Sequence, residues 1–106
     1  MQNHAKVVII GGGVVGCSIL YHLSKFGLKD CILLERNELT SGSSWHAAGN
    51  VHVISSDPNI SRMMAYTIGL YKEIEKESGH SVGFKPSGGF YLASNDVWAD
   101  YLKRER

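Results

Sequence analysis

The apolar residues fall first into one unbroken β-branched run, Lys6-Val7-Val8-Ile9-Ile10. It lacks the alternation of a half-exposed strand, so it reads as a strand covered on both faces, as in a parallel sheet. Gly11-Gly12-Gly13 ends it. From Val14 to about Phe26 the pattern switches to helical spacing. Val15, Ile19, Leu20, Leu23 and Phe26 recur on one side, and Gly27 stands where a left-handed C-terminal residue is wanted. Cys31-Ile32-Leu33-Leu34 then repeats the buried-strand texture. Strand, helix and strand within about 30 residues predict a βαβ unit with a right-handed crossover.

After Glu35 the texture changes to small residues, Thr40-Ser41-Gly42-Ser43-Ser44-Trp45-His46-Ala47-Ala48-Gly49. A connection of that length is often functional. Asp57-Pro58 opens a second helix in which Ile60, Met63, Met64, Thr67, Ile68, Tyr71 and Ile74 share a side, with Gly79 at its end. The methionines on that side read as core packing. Val82-Gly83-Phe84 and Gly88-Gly89-Phe90-Tyr91-Leu92-Ala93 read as short strands about Pro86, and Asp96 to Arg106 as the start of another helix. The fold class is therefore α/β: residues 1–106 form the N-terminal part of a Rossmann-like domain, a βαβ unit followed by the start of an insertion.

Composition changes this picture in one respect. A complete dinucleotide-binding domain has two βαβ halves and needs more than 106 residues. The chain thus reads as a truncated domain, whose first strand leaves an edge for a partner contributed later. The balance is ordinary for a globular protein, 43% hydrophobic and 20% charged with a net charge of +1. That excludes the basic stripe expected of a nucleic-acid or anionic-membrane partner. The cluster Lys103-Arg104-Glu105-Arg106 reads as a mixed, solvated helix face. No run approaches the roughly 20 apolar residues of a membrane span. Met1 to Ala5 carry no basic n-region, which points to the cytoplasm. Cys17 and Cys31 lack the close pairing or neighbouring His of a zinc site and read as small buried hydrophobes; no metal is expected.

The candidate chemistry lies at the first turn. Gly11-Gly12-Gly13-Val14-Val15-Gly16 matches G-x-G-x-x-G, a weak pattern alone. Here it follows a buried strand, opens a helix, and precedes an acid, Glu35, at the end of the second strand. Gly11 allows the sharp turn, Gly13 lets a pyrophosphate approach the backbone, and Gly16 lets helix and strand pack closely. The unpaired N–H groups at the helix start supply the anion site. Glu35 accepts from ribose hydroxyls and repels a 2′-phosphate, which favours FAD or NAD over NADP.

The next segment separates FAD from NAD. Leu39-Thr40-Ser41-Gly42-Ser43-Ser44-Trp45-His46-Ala47-Ala48-Gly49, after a strand ending Glu35-Arg36, resembles the dimethylglycine and sarcosine dehydrogenases of the glycine-oxidase-like flavoproteins. The helix from Pro58 to Ser78 and the segment Gly83 to Ala93 also look like that pattern, so the likeness covers essentially the whole chain. It implies an FAD-dependent oxidoreductase. By that likeness Gly11, Gly13, Val14, Val15 and Gly16 lie at the phosphates and Glu35 and Arg36 at the adenosine ribose. Gly42, Ser43, Ser44, Trp45, His46, Ala47, Ala48 and Gly49 lie along the flavin. His46 aligns with the histidine that carries a covalent 8α bond to FAD, a reasonable role for a neutral imidazole nitrogen. Trp45 is expected to pack against its own loop.

The resemblance further implies oxidation of a small N-methyl amine, with hydride passing to flavin N5 and formaldehyde as a product. It implies an electron-transfer flavoprotein or oxygen as acceptor, and in some relatives a C-terminal domain binding tetrahydrofolate. The substrate-binding groups would lie beyond residue 106, so no residue here is assigned as catalytic base. Leu20 departs from the pattern, standing where many such units have Ala or Gly. Competing readings are a related amine or amino-acid oxidase without covalent flavin, a non-catalytic nucleotide-binding relative, and an NAD-dependent dehydrogenase.

Overall fold

The structure is a computed structural model, and it describes residues 4–104. Strand β1 (Val7–Ile10), helix α1 (Val14–Lys25) and strand β2 (Cys31–Leu34) come first, followed by helices α2 (Pro58–Ser78) and α3 (Asp96–Arg104). The chain divides into two compact units, one ending at Gly49 and the other beginning at Asn50.

In the first unit β1 and β2 pair in parallel, from Val7 opposite Cys31 to Ile10 opposite Leu34. Lys6 N and Val7 N extend the ladder by donating to Asp30 O, and Gly11 N closes its far end on Leu34 O at 2.8 Å. The backbone bonds therefore run without a gap into the glycine turn. At its other end α1 stops in a two-bond lock: Gly27 N donates to Ser24 O and Leu28 N to Leu23 O, both at 2.9 Å. Gly27 takes φ +85, the left-handed geometry that the lock requires and glycine adopts without a Cβ penalty. The βαβ unit thus stands where the apolar pattern predicts it. Leu20 is half-buried, and α1's close approach is made instead at Gly16.

In the second unit Asp57 caps α2, its Oδ1 accepting from Asn59 N at 2.7 Å and Ile60 N at 3.3 Å, with Pro58 in the first turn. Gly79 ends α2 with φ +70. Asn95 Oδ1 accepts from Trp98 N at the start of α3, and Lys103 pairs with Asp100 on its solvent side. Residues 105 and 106 of the expected last helix lie outside the described residues.

Two expectations are corrected. Neither 82–84 nor 88–93 forms a strand among the described residues. A strand is stable only when a neighbour takes its N–H and C=O groups. Here Gly83 and Gly88 turn left-handed at φ +71 and +72, and Phe90 is 98% exposed. The cysteines are half-buried rather than buried: Cys17 Sγ donates to Gly12 O and Cys31 Sγ to Leu28 O.

Apolar cover is the missing ingredient. Among the described residues Ile9 alone is a buried hydrophobic, while Ile10 and Phe26 are 87% and 82% exposed. The sides of α1 and α2 that the sequence marks as apolar carry Val15, Ile19 and Met63 into solvent. Burial of this kind cannot offset chain entropy of about 1–2 kcal/mol per residue. Residues 1–106 expressed alone are therefore expected to aggregate or to melt without a cooperative transition by circular dichroism. A sharp, reversible transition of a soluble monomer would contradict this.

Candidate functional site

The glycine turn is built by close contacts at Gly12 and Gly16 and by an unusual backbone angle at Gly11. A Cβ on Gly16 would lie 1.9 Å from Gly11 O and 3.4 Å from Ile9 Cγ2, so α1 can start here only over a hydrogen. Gly11 itself takes φ +107, a conformation L side chains rarely adopt. These are the two tasks the sequence assigns to Gly11 and Gly16. The middle glycine, unassigned from sequence, is crowded too, though by side chains that can shift. A Cβ on Gly12 would meet Leu39 Cδ2 at 2.5 Å and Glu35 Cβ at 3.0 Å.

Glu35 locks the turn to the end of β2. Its Oε2 accepts from Gly12 N at 2.6 Å and its Oε1 from Asn37 N at 2.8 Å. The Gly12 N–H bond, then that from Asn37, holds the carboxyl below the usual carboxylate range, and the nearby Arg36 charge acts in the same sense. Each oxygen keeps a lone pair, so the carboxylate still has capacity to accept from a sugar hydroxyl.

The start of α1 has the makings of an anion seat. Cys17 N, donating to Gly13 O at 3.0 Å, makes the first bond of the helix. Val14 N donates to Ser44 Oγ at 2.9 Å. Val15 N and Gly16 N find no protein acceptor among the described residues, and no acid lies in the first turn to neutralise the helix dipole. Gly13 is extended, and a Cβ there would meet only Ser44 Oγ, at 3.4 Å. The protein's own atoms thus leave the backbone open beside free donors, and a diphosphate fits that seat.

Residues 39–46 fold back over the turn. Thr40 N donates to Gly12 O at 2.9 Å. Successive short bonds follow, Trp45 N to Gly42 O, His46 N to Ser43 O and Ala47 N to Ser44 O. Thr40 has φ +64, the one positive-φ residue besides glycines among those described, a strain of about 1–3 kcal/mol that its surroundings must hold. His46 is exposed, with Nδ1 2.9 Å from Gly42 O. A carbonyl only accepts, so Nδ1 is the donating nitrogen and Nε2 is the one left for other partners. Trp45 is 78% exposed rather than packed on its loop, and Arg36 is exposed. Ala47, Ala48 and Gly49 are exposed at the end of this unit.

The structure thus brings Gly11, Gly13, Val14, Gly16, Glu35 and Ser44 together around one turn. Sequence reasoning assigned no role to Gly12, Leu39 or Thr40; Gly12 was signalled only as one of three consecutive glycines, and Leu39 and Thr40 only as the start of the resembling run. Among the described residues no cluster of His, Cys, Asp or Glu could hold a metal ion, and no helix is long and apolar enough to cross a membrane. The second unit has a cavity of about 480 Å³ lined by Ile54, Phe90, Tyr91, Trp98 and Tyr101, with no carboxylate, cysteine or histidine in its wall.

A parallel βαβ unit with a glycine turn, open helix donors and an acid at the end of β2 defines a dinucleotide-binding fold. Residues 6–106 match the DAO family model, described as FAD dependent oxidoreductase, and the chain belongs to that family. It is 45% identical over 102 residues to the mitochondrial dimethylglycine dehydrogenase of Homo sapiens, covering 96% of this chain and 12% of that protein. To the mitochondrial sarcosine dehydrogenase of Homo sapiens it is 42% identical over 105 residues, covering 98% and 11%. The mitochondrial pyruvate dehydrogenase phosphatase regulatory subunit of Mus musculus is 38% identical over 104 residues, covering 98% and 12%. Glycine oxidase from Bacillus cereus ATCC 14579 superposes with a TM-score of 0.71 at 25% identity, covering 95% of this chain and 29% of that one. The chain therefore spans about an eighth of the length of these curated relatives.

Substitutions at the turn should separate by what a methyl would strike. In the full-length protein Gly16→Ala is expected to cost about 3 kcal/mol or more, because a backbone carbonyl must move. Gly12→Ala should cost about 1–2 kcal/mol, since the end of Leu39 can shift. Gly42→Ala, with no protein atom within 4 Å, should leave stability nearly unchanged. The melting temperature reads all three.

Glu35 carries a pH signature. Its folded pKa is lowered, so its contribution is complete above the unfolded value and is lost as pH falls through the folded one. Amide exchange at Gly12 and Asn37 should stay protected through neutral and mildly acid pH and rise only at strongly acid pH. Glu35→Gln should remove that pH dependence and weaken nucleotide binding on the order of tenfold.

Proposed function

We propose that the full-length protein binds FAD on this turn and oxidises a small secondary or tertiary N-methyl amine of the dimethylglycine or sarcosine type. The observation that carries the reading is the turn itself: free Val15 and Gly16 N–H groups beside an open Gly13, with Glu35 at the end of β2, in a chain of an FAD-dependent family. Similarity to enzymes named for dimethylglycine and sarcosine supports the substrate class. FAD held there would supply a two-electron acceptor for hydride from the N-methyl carbon, and hydrolysis of the resulting iminium by water would give formaldehyde and the demethylated amine.

The chain's own part is to bind and orient. Gly11, Gly13, Val14, Val15 and Gly16 seat the diphosphate, Glu35 and Arg36 border the adenosine ribose, and residues 42–49 run along the flavin. His46 is the candidate for covalent attachment. Its Nδ1–H donates to Gly42 O, which leaves Nε2 as the nucleophilic atom and fixes the ring's rotation. Substrate contacts and any catalytic base belong to the rest of the full-length protein, as would a tetrahydrofolate-binding domain. The free cysteines suit a reducing compartment, which we propose is the cytoplasm. The mammalian relatives are mitochondrial by name, and fractionation of cells expressing the full-length protein separates the two.

A second reading has its own support, since one relative is named as a regulatory subunit. In that reading the full-length protein keeps the nucleotide fold without oxidising an amine.

One experiment addresses both. The full-length protein should show flavin absorption that remains with the acid-precipitated pellet, and His46→Ala should release it to the supernatant. Anaerobic dimethylglycine or sarcosine should bleach the flavin, and admitting air then shows whether oxygen or an electron-transfer flavoprotein restores it. Bound flavin that no N-methyl amine bleaches would overturn the proposed substrate class and support the regulatory reading. A flavin-free protein that requires nicotinamide would overturn both.

A further inference from the structure

We propose that Ser44 is a positioning residue that sets the 39–46 segment, and with it His46, against the phosphate turn before any cofactor arrives. The inference rests on the reading that the turn seats a diphosphate and the segment borders the flavin. It begins from two tethers of unequal kind. At the root of the segment Thr40 N donates to Gly12 O and the Leu39 side chain lies against Gly12, contacts made by backbone and by apolar bulk. Four residues on, Ser44 Oγ accepts from Val14 N at 2.9 Å. Among the described residues this is the one hydrogen bond joining a side chain of 39–46 to α1.

Geometry makes the second tether decisive for His46. Thr40 holds φ +64, so the segment leaves the turn in a direction that a threonine does not favour on its own. A strained root persists only where contacts beyond it fix the path. Ser44 supplies such a contact two residues before His46, and Ala47 N donates to Ser44 O at 3.4 Å on the far side. His46 in turn is held by Ser43 O and Gly42 O, the residues leading into Ser44. Removing the Ser44 hydroxyl leaves the Trp45 N bond to Thr40 O at 3.0 Å and the Ser41 N bond to Glu38 O at 3.3 Å, which curl the segment on its own root, and takes away its side-chain tie to α1, so that the curl with His46 shifts against the turn. It also leaves Val14 N–H without its acceptor, one more free donor for an anion.

Those two consequences have opposite signs for two probes. ADP reads the phosphate turn and the ribose acid, whereas FAD reads the turn together with the segment along the flavin. In flavin-free full-length protein, Ser44→Ala is expected to weaken FAD binding on the order of tenfold and to leave ADP binding within about twofold or slightly tighter. Ser44→Thr, which keeps the hydroxyl, should restore FAD binding. Hydrogen exchange of the peptide 39–47, measured without ligand, should quicken in Ser44→Ala and return to the parent rate in Ser44→Thr. Equal loss of ADP and FAD would show a merely structural role and overturn the proposal, as would unchanged FAD binding or a threonine variant that fails to rescue. Should the parent protein bind neither nucleotide, the flavoprotein reading falls, and the exchange rates alone then decide for or against the Ser44 tether.

Discussion

The site depends on one steric constraint: a helix must begin almost in contact with the carbonyl that ends the strand before it. With 1.9 Å between Gly11 O and the place where a Gly16 Cβ would stand, only a hydrogen permits that approach. The closeness has a consequence beyond packing. As at any helix start, the first N–H groups of α1 have no preceding carbonyl to receive them; Val14 N–H goes to Ser44 Oγ, and the close approach at Gly16 sets those of Val15 and Gly16 beside Gly13 at the positive end of the helix. Steric fit and electrostatics are thus one feature seen twice. A side chain at Gly16 would push the helix away and disperse the donors.

Glu35 joins that turn to the sheet. A carboxylate reserved for a sugar would need both oxygens free, yet here each already accepts a backbone N–H, from Gly12 and from Asn37. The two roles are compatible because a carboxylate has about four acceptor positions. The protein's donors keep the group ionised and fix its plane, which leaves the remaining lone pairs aimed rather than free to rotate. An acid at the end of β2 therefore organises the turn and still keeps acceptor capacity for a ligand.

What was legible in the sequence follows from the range of the forces involved. The bounds of β1, α1 and β2, and the caps at Asp57 and Gly79, rest on neighbours within a few positions and could be read from spacing. So could Gly11 and Gly16, whose tasks belong to a recurrent turn. Gly12 stood at a variable position of the motif, and its constraint comes from Leu39 and Glu35, more than 20 residues away. The Ser44 bond to Val14 spans 30 residues and leaves no periodic trace. The strands read at 82–84 and 88–93 fail for the related reason that β-propensity is realised only against a partner, and none of the described residues supplies one. Trp45 does not pack on its loop as expected: it is largely exposed.

That exposure and the open donors belong to one logic. In a dinucleotide site the ligand supplies part of the interior: its phosphates take up helix N–H groups and its ring covers apolar side chains. Val14 and Val15, both largely exposed, flank the free N–H groups, and Trp45 stands beside His46 on the segment that Ser44 pins to the turn. Polar groups without partners and apolar groups without cover are each costly, and they are rarely tolerated side by side on a finished surface. Exposed apolar residues occur elsewhere in this unit, Ile10, Phe26 and Leu34 among them, but at the turn they stand beside free N–H groups, a pairing that suits a ligand with both a charge and a flat apolar face. FAD has that chemistry, and a free phosphate or an apolar helix has only half of it.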